Sequence, residues 1–246
     1  MKKVTIVTSL YKGKNYIESF LQNITNQTIW DQCELFILDA NSPDGEFEYI
    51  KPYMEKYNNI RYERFDETIG IYQTWNYIIK NSNSEYLTNA NVDDLLYPDF
   101  MEKHVQFLDS NNNIDVAYCF NIHSHYYELP KNRAGEIWET GDFNLKVMLN
   151  CNLPQNHPVW RRSLHDKYGY FSEEYFSASD WEFWLRCATL GSEFKLIPEI
   201  LGVYYRNPEG MSSNFFNMER NLSEVKKIRQ KYIDILSFLC SDNNNS

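Results

Sequence analysis

The sequence predicts an α/β fold built on a single, mostly parallel central sheet flanked by helices. Three observations predict it. Through the first half, short β-branched or aliphatic runs alternate with stretches whose apolar residues recur at helical spacing. Those runs end in hydroxyl, acidic or turn-forming residues, as strands do where a sheet meets solvent. No repeat or Pro/Gly-rich linker interrupts the 246 residues, and the 9 glycines and 8 prolines are dispersed. A length of that order holds one large domain or two small ones, and 43% hydrophobic content supplies a substantial core.

Taken in order, KKVTIVTS reads as a first strand. NYIESFLQNITNQ follows as a helix, with Tyr16, Ile17, Phe20, Leu21 and Ile24 on one face. ELFILD is a buried strand and FEYIKPYMEKY a helix entered or bent at Pro52. NIRYERF is a strand, IYQTWNYIIKNS a helix and EYLTNA a fourth strand. PDFMEKHVQFLDS is a helix with proline in its first turn, and DVAYCF a fifth strand. Such alternation implies right-handed βαβ crossovers and a sheet covered on both faces, with ligands outside the carboxyl ends of the strands.

The second half is less regular. FNIHSHYYELP reads as a strand, DFNLKVMLN as a short helix and SDWEFWLRCATLG as a strong helix closed by Gly191. FKLIPEILGVYYRN reads as two short strands around Pro198, in an antiparallel extension. A last helix from about Met218 to Leu239 lines up Leu222, Val225, Ile228, Tyr232, Ile235 and Leu239. Its polar face carries both charge signs, so it is expected to pack on the domain or on a second subunit, a homodimer being one such arrangement. SDNNNS reads as a frayed tail.

The formal charge of −10 argues against nucleic acid and anionic membranes as partners. A nucleotide ligand is compatible with it, because a divalent cation can neutralise a diphosphate. Five cysteines, Cys33, Cys119, Cys151, Cys187 and Cys240, lack CxxC spacing and read as buried free thiols of a reducing compartment. The N-terminal apolar run is too short for a signal peptide, and no run is long enough to span a membrane. A cytoplasmic protein is the expectation.

Chemistry is therefore sought at the strand ends. The first presents Thr8-Ser9-Leu10-Tyr11, the second Asp39-Ala40-Asn41-Ser42-Pro43-Asp44-Gly45, and the fourth Asn91-Val92-Asp93-Asp94. A carboxylate accepts the N–H of a pyrimidine, and a tyrosine ring stacks on it. A carboxylate pair can hold a hard divalent cation against a diphosphate. Simpler readings stand beside these: Asp94 or Asp99 as acids at the start of the next helix, and a plain βα turn after Asp39. Neither GxGxxG nor GxxxxGK[ST] follows any predicted strand, which argues against dehydrogenases and P-loop NTPases.

From about Lys3 to Ser213 the chain resembles a family 2 glycosyltransferase of the GT-A fold. VTIVTSLYKGKNYIESFLQNITNQT is similar to the family's opening strand, nucleotide loop and first helix, and ELFILDANSPDG to its second strand with a D-x-x-S-x-D turn. ETIGIYQTWNYIIKNSNSEYLTNANVDDLLYP resembles the segment leading to the metal motif, and HPVWRRSLHDKYGYFSEEYFSASDWEFWLR the acceptor-side segment. The resemblance implies a domain over 1–213, with a nucleotide-sugar half (1–98) and an acceptor half (99–213). A helical extension (214–240) and a disordered tail (241–246) would follow.

It also implies inverting transfer from a nucleoside-diphosphate sugar, usually UDP-linked, with Mg²⁺ or Mn²⁺. The acceptor would be a glycan, free or linked to lipid or protein. Asp93 matches the metal-binding position and Asn91 the nucleotide-facing one, where the family often has Asp. Thr8 and Tyr11 match the base-binding loop. Asp39 matches an acidic pair whose second place is Ala40 here. Asp180 matches the general base, which would take the acceptor hydroxyl's proton during a single displacement; on pattern alone Asp180 and Glu182 read equally well as N-terminal helix acids.

Ser179 replaces the family's usual Glu, and Asn207-Pro208 stands where relatives often carry His. Arg206 is the candidate for the diphosphate, and reads equally well as an exposed structural residue. His157, Trp160, Trp181 and Glu182 are acceptor-side candidates, and Trp184 reads as core. His104 and His165 read as helix-surface residues, and Asn76 as bonding backbone near the metal loop. The alternatives are a non-catalytic sugar-nucleotide or glycan-binding module on the same fold, and a nucleotidyltransferase, for which SLYKGKN is a poor loop.

Overall fold

In the computed structural model, residues 2–242 are described, without the side chains of 239–242. Of the tail expected over 241–246, residues 243–246 fall outside them, as do the Leu239 and Cys240 side chains, whereas the backbone of 241–242 is helical.

Strand β1 (Val4–Leu10) leads through α1 (Ile17–Thr25) to β2 (Cys33–Asp39), which pairs parallel to β1. Helix α2 (Phe47–Lys56), with Pro52 inside it, leads to β3 (Ile60–Arg64), parallel to β2. Helix α3 (Ile71–Lys80) returns the chain to β4 (Tyr86–Asn89), parallel to β1 on its other side. The order β3-β2-β1-β4 thus follows the predicted alternation.

The chain then forms the short β5 (Leu95–Leu96), α4 (Phe100–Ser110) and β6 (Val116–Ser124). After β7 (Glu136–Trp138), α5 (Leu145–Met148), β8 (Val159–Arg161), α6 (Ser163–Tyr168) and α7 (Ser179–Thr189) come β9 (Phe194–Tyr205) and α8 (Met218–Asp242). Strand β8 lies antiparallel between β4 and β6 and so joins the two halves of one sheet. Sequence reading did not identify β8 or α6, because VWR is too short to show a period.

The two strands expected around Pro198 are one strand, β9, running parallel to β6 and antiparallel only to β5. A register shift after Cys119↔Ile197 takes up Pro198 and Glu199, so the proline, which cannot donate to a ladder, sits in an irregularity.

Strand alternation sorts the core onto the two faces. Val4 and Ile6 of β1 pack with Phe20 and Ile24 of α1 and Phe100 and Leu108 of α4. Val7 packs on the other face with Trp75 and Ile79 of α3, Trp184 of α7, and Ile228 and Tyr232 of α8. Leu222 and Ile235 of the predicted α8 face stay exposed, because the buried seam centres on Ile228 and Tyr232. Cys33, Cys119 and Cys187 are buried free thiols and Cys151 a half-buried one. Among the described residues, no helix is long and apolar enough to cross a membrane.

Candidate active site

The carboxyl ends of β1, β2 and β4 lie side by side, and their loops are stitched together by side chains. Glu46, fully buried, accepts from Gly13 N (2.7 Å) and Ser42 Oγ (2.7 Å), and Ser42 Oγ accepts from Lys12 N (2.8 Å). Lys12 and Asn41 are held at positive φ (53° and 64°), a conformation costing L-residues about 1 kcal/mol each. Neither loop is slack.

Asp39 is wholly enclosed. Its Oδ1 accepts from Ser42 N at 2.6 Å, and its Oδ2 accepts from Tyr62 Oη at 2.7 Å and Arg64 Nη1 at 2.5 Å. Enclosed in this way, Asp39 presents no exposed oxygen to a base. Thr8 is also buried and donates to Ala90 O (3.0 Å), tying β1 to the β4 end instead of facing a ligand. Tyr11, 45% exposed, keeps a free ring face with Lys12 Nζ 5.5 Å from its centroid. Arg64 and Tyr62 were missed, because NIRYERF read simply as a strand.

Past β4 the acidic pair is differently placed. Asp93 Oδ2 accepts from Asn207 Nδ2 (2.9 Å), so Asn207 reaches this carboxylate from beyond β9. Asp94 is buried and its Oδ2 accepts from Asn91 Nδ2 (2.9 Å) and, at 3.4 Å, from Asn156 Nδ2. Asn91 is thus turned toward Asp94. Burial pushes both carboxyls above the usual aspartate range, and Asp93's charge pushes Asp94 further.

Among the described ion pairs neither aspartate has a Lys or Arg partner. His157 Nε2 lies 3.8 Å from Asp94, but burial pushes that imidazole down to about 3 and keeps it neutral. An acidic pair without a protein cation fits a divalent cation. No three His, Cys, Asp or Glu converge among the described residues, so a bound diphosphate would have to complete its coordination. Tyr16, Tyr127 and Tyr205 cluster beside the pair, with Tyr16 and Tyr127 centroids 5.0 Å apart.

Asp180 sits half-buried in the first turn of α7. Its Oδ1 accepts from Tyr72 Oη (3.0 Å) and its Oδ2 from Asn152 Nδ2 (2.7 Å). Burial raises its pKa, against the lowering effect of Tyr72, the Trp181 N–H and Asn152. A carboxylate ordered and made more basic in this way suits proton abstraction. The segment 152–157 connects the clusters: Asn152 bonds Asp180, while Asn156 bonds Asp94 and its carbonyl accepts from Asn89 (3.0 Å). Gln155 is held at φ 51° within it. The clustered polar residues of CNLPQNHP were the signal available for this connector; nothing in the sequence pointed to Tyr72.

Several sequence expectations are corrected by burial. Trp160 and Trp181 are 0% and 4% exposed, their indole N–H groups donating to His165 Nε2 (3.0 Å) and Met148 O (2.7 Å), so neither offers a face for stacking. His157 is enclosed against Asn121 (2.7 Å) and supports the acidic loop from inside. Glu182 is 2% exposed and bonds Arg186 (2.8 Å), Lys231 (2.8 Å) and Tyr232 (2.7 Å), which turns it toward α8. His104 and His165 are interior residues, each lowered to about 4 by burial. Asn76 bonds backbone, but that of Phe171 (2.9 and 3.0 Å), far along the chain from the acidic loop. Trp184 is core, as expected.

The open surface lies elsewhere. A groove of about 480 Å³ is lined by His123, His125, Trp138, Tyr204, Arg206 and Pro208. Trp138, 46% exposed, stacks on His123 (centroids 4.9 Å apart, 16° between planes). Arg206 forms its wall, paired with Glu136 at 3.0 Å.

Comparison with known proteins bears on this arrangement. The model of "Glycosyl transferase family 2" matches residues 5–169. An uncharacterized glycosyltransferase of Haemophilus influenzae is 23% identical over 245 residues, covering 94% of this chain and 73% of its own. The structure of S. aureus TarS 1–349 with UDP-GlcNAc superposes with a TM-score of 0.76 at 16% identity, over 95% of this chain and 66% of that one. The mannosyltransferase PcManGT of Pyrobaculum calidifontis, solved with GDP-Man and Mn²⁺, gives 0.64 at 17% identity, over 85% and 58%. The chain therefore spans less than two thirds of either solved relative.

Proposed function

The chain belongs to glycosyl transferase family 2 and is a glycosyltransferase; from that premise we propose that it is divalent-cation-dependent and inverting, moving a sugar from a nucleoside-diphosphate donor, UDP-linked by preference, to a glycan hydroxyl. The observation that carries this reading is the connector 152–157. It ties a carboxylate pair that has no Lys or Arg partner among the described residues to a single, basic, half-buried aspartate. Inverting transfer needs that combination: one place where diphosphate charge is neutralised and one base aimed at the acceptor.

In this reading Tyr11 stacks on the base, and the Asp39–Arg64–Tyr62 cluster fixes the loop that borders it. Asp93 would hold Mg²⁺ or Mn²⁺, which when bound would supply positive charge for the diphosphate. Asn207 and Asn91 orient the acidic loop. Asp180 takes the proton of the attacking hydroxyl as the bond to the anomeric carbon forms, with Tyr72 and Asn152 fixing its orientation. The groove at Trp138 holds the acceptor, a sugar ring lying on the indole and Arg206 lending positive charge beside it. Support for nucleotide-sugar use comes from the TarS and PcManGT complexes, and support for the cation from the Mn²⁺ in the latter.

The test is donor turnover, hydrolysis or transfer, over UDP-GlcNAc, UDP-glucose, UDP-galactose and GDP-mannose with Mg²⁺ or Mn²⁺. A thermal-shift screen of the same donors, with and without the cation, identifies which one binds. Asp93→Ala and Asp180→Asn are expected to lose turnover; wild-type rates in both would sink the site. Tight UDP binding without turnover on any donor would instead favour a sugar-nucleotide-binding module.

A further inference from the structure

Asp180 and α8 both lie beyond the residues 5–169 that carry the family match. The turn 175–178 delivers the chain into α7, and α8 holds that turn. Glu224, 9% exposed, accepts from Phe176 N at 2.6 Å with Oε1 and from Ser177 N at 2.9 Å with Oε2. Ser177 Oγ bonds Asn221 Oδ1 of the same helix (2.7 Å). Arg220 lies over the Phe176 ring (4.0 Å) and Lys227 over that of Tyr175 (5.4 Å).

The other side of Asp180 is held too. Tyr232 Oη and Lys231 Nζ donate to Glu182 Oε1 (2.7 and 2.8 Å), and Arg186 to its Oε2 (2.8 Å). Tyr232 is itself 2% exposed, inside the core that α7 shares with the sheet.

We propose that α8 is a positioning element for the general base: Glu224 before Asp180 and Tyr232 after it clamp the α7 N-terminus so that the carboxylate stays aligned between Tyr72 and Asn152. This rests on the reading of Asp180 as that base. The backbone of 176–177 has its N–H groups fixed by α8 alone among the hydrogen bonds of the described residues. Releasing them frees the turn that sets where Asp180 points. A displacement on the ångström scale at a reacting group costs up to about a hundredfold in rate, whereas donor binding, to which this turn contributes no residue of the proposed site, should not feel it.

The groups facing Asp180 are Tyr72 from α3 and Asn152 from the connector; Glu182 and Arg186 on its own helix and Lys231 and Glu224 on α8 are engaged with one another or with backbone. A loosened turn would let water reach Asp180, so its raised pKa would fall toward the ordinary aspartate value. The acid limb of the rate profile, set by the base losing its charge as pH drops, would then move to lower pH.

The experiment uses the full chain and the donor selected by the screen above. Glu224→Ala and Tyr232→Phe should lower kcat ten- to a hundredfold with KM for the donor within twofold of wild type. The acid limb should shift down in pH, and amide exchange across 175–181 should rise while that of 10–16 and 39–46 stays unchanged. Glu224→Gln, which keeps one acceptor oxygen, should recover part of kcat. If Asp180→Asn abolishes turnover but Glu224→Ala and Tyr232→Phe keep the wild-type limb and kcat per folded molecule, the clamp is overturned and the base assignment stands. If Asp180→Asn turns over at the wild-type rate, the base assignment fails and the clamp with it.

Discussion

Asp39 and Asp94 are buried almost equally, their side chains 1% and 2% exposed, at or just past the ends of parallel strands that flank β1. Their surroundings are opposite. Asp39 meets a guanidinium, a phenol and a backbone N–H, so its charge is answered within the protein. Asp93 and Asp94 meet amides and each other, and burial holds both carboxyls above their ordinary range. Burying charge without a counter-ion is costly. The first charge is answered within the protein, and the second pair is left for the proposed cation to answer.

The sharpest way to break this contrast is to remove each charge in turn. Asp93→Asn should cut turnover by two orders of magnitude or more while leaving metal-free thermal stability at or above that of wild type. The stabilisation by Mg²⁺ with UDP, read by thermal shift, should vanish with it. Asp39→Asn should do the reverse: it sets an amide N–H₂ against the donors of Arg64 and Tyr62. Denaturant unfolding should show a loss of about 3 kcal/mol with the cation response retained. Equal responses in the two variants would show that the sites do not differ in the way described.

A smaller effect tests a third buried carboxylate. Burial works to raise Glu182's pKa, but hydrogen bonds from Arg186 and Lys231, with Tyr232 beside them, bring it below the usual glutamate range. A depressed carboxyl contributes stability that is present above its unfolded pKa and lost as pH falls through the folded one. Wild type should therefore lose stability on acidification below about pH 4.5, and Glu182→Gln should lose less over that window while being less stable at neutral pH. Arg64→Ala comes next in size. Its side chain is 40% exposed, so the loss should be about 1 kcal/mol, read as a Tm drop of a few degrees.

The two halves of the chain also differ in how far the sequence disclosed them. From β1 to β4 each strand is long enough to show its character and each helix shows a clear apolar face, so elements and strand ends were both readable. Asp39, Asp93 and Asp180 stand out as carboxylates at turns. What filled their hydrogen bonds was not readable, since Tyr72, Asn152, Asn207 and Arg64 come from 25 to 114 positions away and share no local pattern with them. In the second half β8 and β7 are three residues each, below the reach of periodicity. The tryptophans misled for a related reason. An indole looks alike in sequence whether it caps a groove or fills a core, and Trp160 is carried into the core by β8, a strand that the sequence did not announce.

That ambiguity defines the last comparison, in which the smallest effect on stability falls at Trp138. Trp160, wholly buried against Trp184 (5.3 Å between centroids) and His165, should cost about 3–5 kcal/mol on truncation to Ala. Trp138 lies on a three-residue strand whose residues are all exposed, and its ring stacks on His123, so Trp138→Ala should change unfolding free energy by less than about 0.5 kcal/mol. If the groove holds the acceptor, the same variant should raise the acceptor's KM several-fold, the scale of one lost stacking contact, with donor hydrolysis in the absence of acceptor unchanged. A Trp138→Ala protein with wild-type acceptor KM would move the acceptor off this groove. The donor-side assignments would be untouched, because Tyr11, Asp39 and Asp93 share no hydrogen bond or ring contact with Trp138 among the described residues.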